Sequence, residues 1–426
     1  MDSMSLGAGP PRRAYPPSRR ALLGGTAGVA LGALLPSPTA RAALGALDDA
    51  AAGAALPAPP AAGSWQLVDS LSDDFAGSAF DPVRWRTGLW YSTSGVGAFN
   101  PANVSVAGSN LLLTAKQESY NGKSYTFGAV QSLFEIPGVN TYVEVRAKML
   151  NSQANVLSAI WMQTAPGTAR NDPNPEIDIE ETFNFTGLRT GLHVWPTTSS
   201  TIGWGPYLWD AGIPDISTDY HLYGLERRDG RLRVYFDGQL GIDLAPPDLS
   251  MLNMSRRMLF SLEGHLGQPN DAYLPASFAI DYVRTYYAVP SMADPSGQHR
   301  VVNRKSGLVL TAATSGDAVT QEAWTGSAPQ LWTIARTDDW TYTLVNAATG
   351  GYLDLKDGYT QNGVPLVQNP TPTTTGSQRW HVLPTDSGFL KLQSRLSGKA
   401  AASVDPGVQI VEMDFGDAQN DQWMVQ

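Results

Sequence analysis

Apolar and polar residues alternate with a period of two along most of the chain between Trp65 and Val289. Asn110-Leu111-Leu112-Leu113-Thr114-Ala115, Thr141-Tyr142-Val143-Glu144-Val145-Arg146-Ala147 and Arg231-Leu232-Arg233-Val234-Tyr235-Phe236 each read as a short strand, the last closed by the turn signal Asp237-Gly238. Phe278 to Tyr286 reads as a closing strand. Long amphipathic helical stretches are hard to find, and short strands separated by turn residues at this spacing predict a β-sandwich.

The segment Glu176-Ile177-Asp178-Ile179-Glu180-Glu181 keeps this period but is crowded with acids. Alternation sends residues 176, 178 and 180 to one side of a strand and the two isoleucines to the other, so the apolar side anchors and the acidic side is free for chemistry. At the usual strand rise the α-carbons of Glu176 and Glu180 lie about 13 Å apart. Two long side chains leaning together close much of that gap, toward the separation of about 5 to 5.5 Å at which a retaining glycosidase holds its nucleophile and its acid/base. Asp178, between them, is placed to share a proton with the nucleophile. A solvated sheet face or a calcium site would also present acids this way. The neighbouring segments Val156 to Met162, with Trp161, and Leu192-His193-Val194-Trp195 favour sugar chemistry, because aromatic side chains on adjoining strands offer faces on which sugar rings stack.

The pattern changes after Pro290. Ser306-Gly307, Thr349-Gly350 and Ser397-Gly398 recur near the start of three units, and Gln330-Leu331-Trp332, Gln378-Arg379-Trp380 and Asp421-Gln422-Trp423 recur at their ends. A unit of this length repeated three times predicts a closed threefold β-structure with the tryptophans in its core.

Composition narrows the function classes. The 426 residues carry a net charge of −10 and only 16% charged residues, with 42 Gly, 30 Pro, 12 Trp and 16 Tyr, which suits an all-β protein with many turns. An acidic chain is a poor partner for nucleic acid. Ser18-Arg19-Arg20-Ala21-Leu22-Leu23, a Gly/Ala/Leu-rich run and Ala40-Arg41-Ala42 follow the order of a twin-arginine export signal over residues 1–42, and the apolar run is too short and glycine-rich for a membrane span. Absence of cysteine excludes disulfides and agrees with export of an already folded protein. Residues 43–63, rich in Ala, Pro and Gly, read as a linker, 64–289 as the first domain, 290–297 as a short polar linker and 298–426 as the second domain. Five histidines without paired metal spacing argue against catalytic zinc.

Residues 64–289 resemble glycoside hydrolase family 16, through Ser72-Asp73-Asp74-Phe75, the acidic hexapeptide, Tyr220-His221-Leu222-Tyr223-Gly224, Phe236-Asp237-Gly238 and Asp281-Tyr282-Val283-Arg284. Residues 298–426 resemble the ricin-type β-trefoil lectins of carbohydrate-binding module family 13. The resemblance implies an all-β chain, a jelly-roll sandwich followed by a β-trefoil, acting as a secreted, monomeric, retaining endo-glycosidase on a β-linked polysaccharide. It implies Glu176 as nucleophile and Asp178 as its helper. The acid/base is Glu181 if the strand carries a β-bulge, and Glu180 if it is regular; a bulge would turn Glu181 into the cleft. Trp65-Gln66-Leu67 and Ser261-Leu262-Glu263-Gly264-His265 look most like β-agarases, and by that likeness Trp90, Trp161, His193, Trp195 and Glu263 line the cleft. Core packing is an equal reading for each tryptophan, as is a structural role for His193. Glucan, porphyran and carrageenan remain alternative polymers, and a non-catalytic polysaccharide-binding protein is the alternative of another class. No cofactor is required, and a structural calcium ion is expected. In the trefoil only the second repeat keeps the early acid of a lectin site, Asp354, with Ser377 where an Asn is expected.

Overall fold

The structure, a computed structural model, describes residue 59 and residues 63–426 apart from 164–173, 184, 196–201, 210–212, 247, 290–291, 374–375, 405–408 and 416–417. The export signal read at 1–42, and nearly all of the linker read at 43–63, lie outside the described residues. Among the described residues no helix is long and apolar enough to cross a membrane.

The first domain is a jelly-roll sandwich. Its smaller sheet comprises β1 (Trp85–Thr87), β2 (Ala129–Ser132), β3 (Leu157–Gln163), β4 (Asn174–Glu181), β5 (Leu188–Trp195), β6 (Ile202–Trp209) and β7 (Arg257–Glu263), in the spatial order β6-β5-β4-β3-β7-β2-β1. The larger sheet is centred on Thr141–Lys148 and the 13-residue strand Ala276–Ala288, which pair antiparallel. The expected strands at 110–115, 141–147, 231–236 and 278–286 fall within Asn110–Tyr120, Thr141–Lys148, Arg231–Phe236 and Ala276–Ala288. Alternation explains why. Val143, Val145 and Ala147 of one sheet, and Ile160, Met162, Ile177, Leu192 and Val194 of the other, belong to one buried core, which leaves their neighbours to face outward. An α-helical turn, α1 (Ser250–Asn253), contacts β4.

The second domain is a β-trefoil. Trp332, Trp380 and Trp423 are fully buried, and each indole N–H donates to a backbone carbonyl in its own repeat, those of Leu310 (2.9 Å), Leu353 (3.1 Å) and Ala401 (2.8 Å). The same bond three times satisfies the one polar atom of each buried indole. A second triplet repeats it: Ser306, Thr349 and Ser397 donate hydroxyls to Gln321, Gln368 and Glu412.

The two domains share a buried contact. The ring of Tyr287, at the end of the sandwich's last strand, lies near-parallel to the rings of His381 (5.9 Å, 6°) and Trp340 (6.0 Å, 18°) of the trefoil. Burial pulls the His381 imidazole down to about 3, so it sits there as a neutral ring. Gly398 approaches α1 so closely that a β-carbon would lie 2.3 Å from Cβ of Asn253.

Candidate active site

The strand β4 carries a bulge. Opposite β3, Met162 pairs with Ile177 and Trp161 with Asp178, but Ile160 pairs with Glu180 and Ala159 with Glu181, so Ile179 is the extra residue. Directly paired residues share a sheet face. Ile160 and Met162 belong to the sandwich core, whereas Ala159 and Trp161 belong to a separate cluster on the other face. The bulge therefore puts Glu180 with the core and returns Glu181 to the face of Asp178 and Glu176.

Burial agrees with this. Glu180 is 1% exposed, its Oε2 accepts the Arg189 backbone N–H at 2.9 Å and its Oε1 has no partner among the described residues. Burial pushes its carboxyl well above the usual range. Glu176 and Glu181 are half-buried.

Glu176 stands opposite His193, and Asp178 opposite Gly191, across the β4–β5 pairing. The Trp195 indole N–H donates to Glu176 Oε2 at 2.8 Å, and His193 Nε2 lies 3.4 Å from Asp178 Oδ2. A β-carbon on residue 191 would sit 2.3 Å from Asp178 Oδ2, so only glycine leaves room for that carboxylate. Burial, then repulsion from Asp178, pushes Glu176 up to about 8, against the pull of His193 and the Trp195 bond. Asp178 is raised by burial and then by Glu181, and Glu181 is raised by burial against the pull of Arg189, His193 and His265. All three carboxyls on this face are thus pushed above the range of isolated carboxylates.

A hydrogen-bonded floor continues beyond them. Trp161 Nε1–H donates to Ser261 Oγ (3.1 Å), and Ser261 Oγ (2.8 Å) and Tyr91 Oη (2.9 Å) both donate to Glu263 Oε1. His265 Nε2 lies 3.2 Å from Glu263 Oε2. Burial alone would raise Glu263, yet hydrogen bonds from His265, Ser94 and Ser261 hold it below the usual range. The His265 imidazole is correspondingly raised by its bond to Glu263.

Glu176, Asp178, Glu181, His193 and Trp195 are thus brought together, with Glu263 linked to them through His265 and Tyr91, whose titrations sense Glu181 and Glu176. Trp161 departs from its expected place as a stacking face. It is 5% exposed, bonded through its indole and covered by the edge-on ring of Trp90 at 5.7 Å, which makes it floor beneath the half-buried Trp90. Sequence reasoning missed Tyr91, Arg189, Gly191 and His265. Gly191 was within reach of register arithmetic, since it lies two residues before His193. Asp354 lies in the trefoil, 4% exposed, its Oδ2 accepting from Gln378 Nε2 (2.9 Å) and Asn369 Nδ2 (3.1 Å) and its Oδ1 without a partner among the described residues.

Among the described residues Glu176, Asp178 and His193 bring possible metal-ligating atoms within 4.8 Å of one another. One buried and one half-buried carboxylate with an imidazole do not fit calcium, which takes six to eight oxygens.

Replacing Trp195 by Phe removes a hydrogen bond that lowers the Glu176 pKa. Loss of a bond to the charged form raises that pKa further, so the acid limb of kcat/KM moves to higher pH. A pH profile measured on a soluble oligosaccharide checks this, and an acid limb that stays in place or moves down contradicts it.

A ricin-type beta-trefoil lectin domain-like family model matches residues 287–369. A beta-glucanase of Acetivibrio thermocellus is 30% identical over 166 residues, covering 38% of this chain and 46% of the relative. A keratan-sulfate endo-1,4-beta-galactosidase of Sphingobacterium multivorum is 27% identical over 311 residues, covering 66% of this chain and 69% of the relative. The chain thus spans about half the length of the first relative and somewhat over two thirds of the second. Among solved structures, beta-agarase A from Zobellia galactanivorans superposes with a TM-score of 0.47 at 23% identity, over 56% of this chain and 98% of that one.

Proposed function

We propose that this chain, whose first domain resembles family 16 glycoside hydrolases and whose second is a ricin-type trefoil, is a secreted endo-acting retaining glycosidase that cleaves a β-linked polysaccharide. The observation that carries the reading is the bulge in β4, which gathers Glu176, Asp178 and Glu181 on one face and buries Glu180. An ionised Glu176 oxygen attacks the anomeric carbon while the glycosidic C–O bond breaks, and Glu181 gives its proton to the departing oxygen. Water then attacks the glycosyl ester as Glu181 takes back a proton, releasing sugar and free Glu176. Asp178 holds the proton that Glu176 must lack, and the Trp195 N–H favours the ionised nucleophile.

Agarose or a related red-algal galactan is the polymer we favour, on the residues that look like β-agarases and on the similarity to an endo-β-galactosidase. A β-glucan is the second reading, favoured by the similarity to a beta-glucanase. In the trefoil, Asp354, through its unpartnered Oδ1, is the candidate sugar contact. Incubation with agarose, porphyran, carrageenan, laminarin and mixed-linkage glucan, with products followed by proton NMR from the first minutes, tests the whole reading. The expected result is cleavage of a galactan with the β-anomer appearing first. An α-anomer as first product refutes retention, binding without cleavage of any polymer supports a pure binding protein, and cleavage of glucan alone selects the second reading.

A further inference from the structure

The strand that carries Glu176 is secured from outside its own sheet. Gln163, the last residue of β3, pairs with Arg257, the first of β7. One step before it lies Arg256, a buried residue whose Nε–H donates to the carbonyl of Pro175 at 3.1 Å, the residue immediately preceding Glu176. Proline supplies no N–H of its own, so this stretch of β4 has one ladder donor fewer than an ordinary strand. Arg256 is itself immobilised. Its backbone forms an antiparallel bridge with Ile136 (2.8 and 3.1 Å), and its Nη1 donates to the Ser255 carbonyl at 2.7 Å.

The next contacts belong to the trefoil. Ser255 Oγ donates to the carbonyl of Arg395 at 2.5 Å, and Arg395 Nη2 donates to the carbonyl of Glu135, the residue before Ile136. Arg395 thus bonds to both strands of the bridge that fixes Arg256. Its own guanidinium is held by Asp339 of the same domain, with Nε 2.9 Å from Oδ2. A buried ion pair of this kind is costly to break because either partner left alone is an uncompensated charge, which makes it a stiff anchor.

We infer that the trefoil, besides any hold on polymer, clamps the nucleophile strand through Arg395, Ser255 and Arg256, and that Arg256 is a positioning residue for Glu176. The inference rests on the assignment of Glu176 proposed above. Misplacing a reacting group by about 1 Å can cost on the order of a hundredfold in rate with little effect on remote binding. A tether has the opposite signature: it matters on solid polymer and not on short soluble sugars.

The test uses the full chain. Arg256→Lys keeps the charge but loses the Nε donor, and is expected to lower kcat on a short soluble oligosaccharide by about 10- to 100-fold with KM changed by less than about twofold. Arg395→Ala and the milder Ser255→Ala, which removes one hydroxyl, are expected to lower kcat in the same sense. The double variant Arg256→Lys with Ser255→Ala should be no slower than Arg256→Lys alone, because two losses along one connection are not additive. Fully multiplicative losses, or an unchanged kcat for Ser255→Ala, overturn the inference. A second readout needs no substrate: hydrogen exchange of the amides of residues 174 and 176–178 should speed up at least about tenfold in Ser255→Ala and Arg395→Ala while the trefoil core stays protected. Unchanged exchange there overturns the coupling even if every polymer proves resistant, whereas faster exchange in a protein without glycosidase activity sustains the clamp and refutes only the assignment of Glu176.

Discussion

Glu176→Gln abolishes polymer cleavage, with kcat falling by a factor on the order of 10⁴ or more, as expected when an amide replaces the group that must form the covalent bond. The substitution keeps the shape of the side chain. Its amide oxygen still accepts the Trp195 N–H, now bonded to Glu176 Oε2 at 2.8 Å, so the fold has no reason to change. Stability should respond with a definite sign. Glu176 is pushed up to about 8 in the folded protein, above its ordinary value of 4.5, so the wild type loses stability as pH rises between those values and glutamine does not. The variant is therefore expected to melt at or above the wild-type temperature at pH 8, with an unchanged far-ultraviolet circular dichroism spectrum. Activity close to wild type in a folded Glu176→Gln protein would sink the assignment.

Glu181→Gln and Glu180→Gln form the second pair, and they should part company. Without Glu181 the leaving oxygen has no proton donor, so kcat on natural linkages should drop about 10² to 10⁴-fold, while a glycosyl fluoride, whose leaving group needs no proton, loses far less. Glu180→Gln should retain activity within a few-fold, because Glu180 is packed on the core side and touches the Arg189 backbone N–H. Its folded pKa is raised, so it costs the wild type stability increasingly toward alkaline pH, and the glutamine variant should gain in melting temperature over that range. The opposite ranking of the two variants in activity would mean that the strand runs without its bulge in solution.

The acidic hexapeptide is visible in the sequence, yet its working geometry is not. Both a regular and a bulged strand satisfy its spacing, and what decides between them is the pairing with Ile160 and Trp161, residues that precede it by about twenty positions. Strand positions were legible because alternation is a local signal, and the trefoil tryptophans because each repeat reports the same burial. Trp161 shows the limit of that kind of reading: its type suits sugar stacking, but Trp90, more than seventy residues earlier, covers it. Tyr91 was missed for the same reason, since it meets Glu263 only through the fold, whereas His265 stands two residues from Glu263 and its bond to that carboxylate was open to local reading. Tyr287 reads in sequence as one more alternating strand residue before a short linker, and nothing local shows that two rings of the second domain lie against it. A chain cut near residue 290 would strip that ring of its trefoil partners and leave it only Val68, Leu71 and Phe134 of its own domain, so truncation tests both polymer tethering and the integrity of the first domain.

Gly191 gives a criterion for judging copies of this chain. An observer who inspects only the acidic stretch would accept as competent any protein that keeps Glu176, Asp178 and Glu181, although a methyl group on residue 191 would already overlap the Asp178 carboxylate at 2.3 Å. Pseudoenzymes could thus arise from this scaffold with every acid intact, silenced by one small side chain on the adjoining strand, and their sequences would betray the loss only at a position that carries no chemistry of its own.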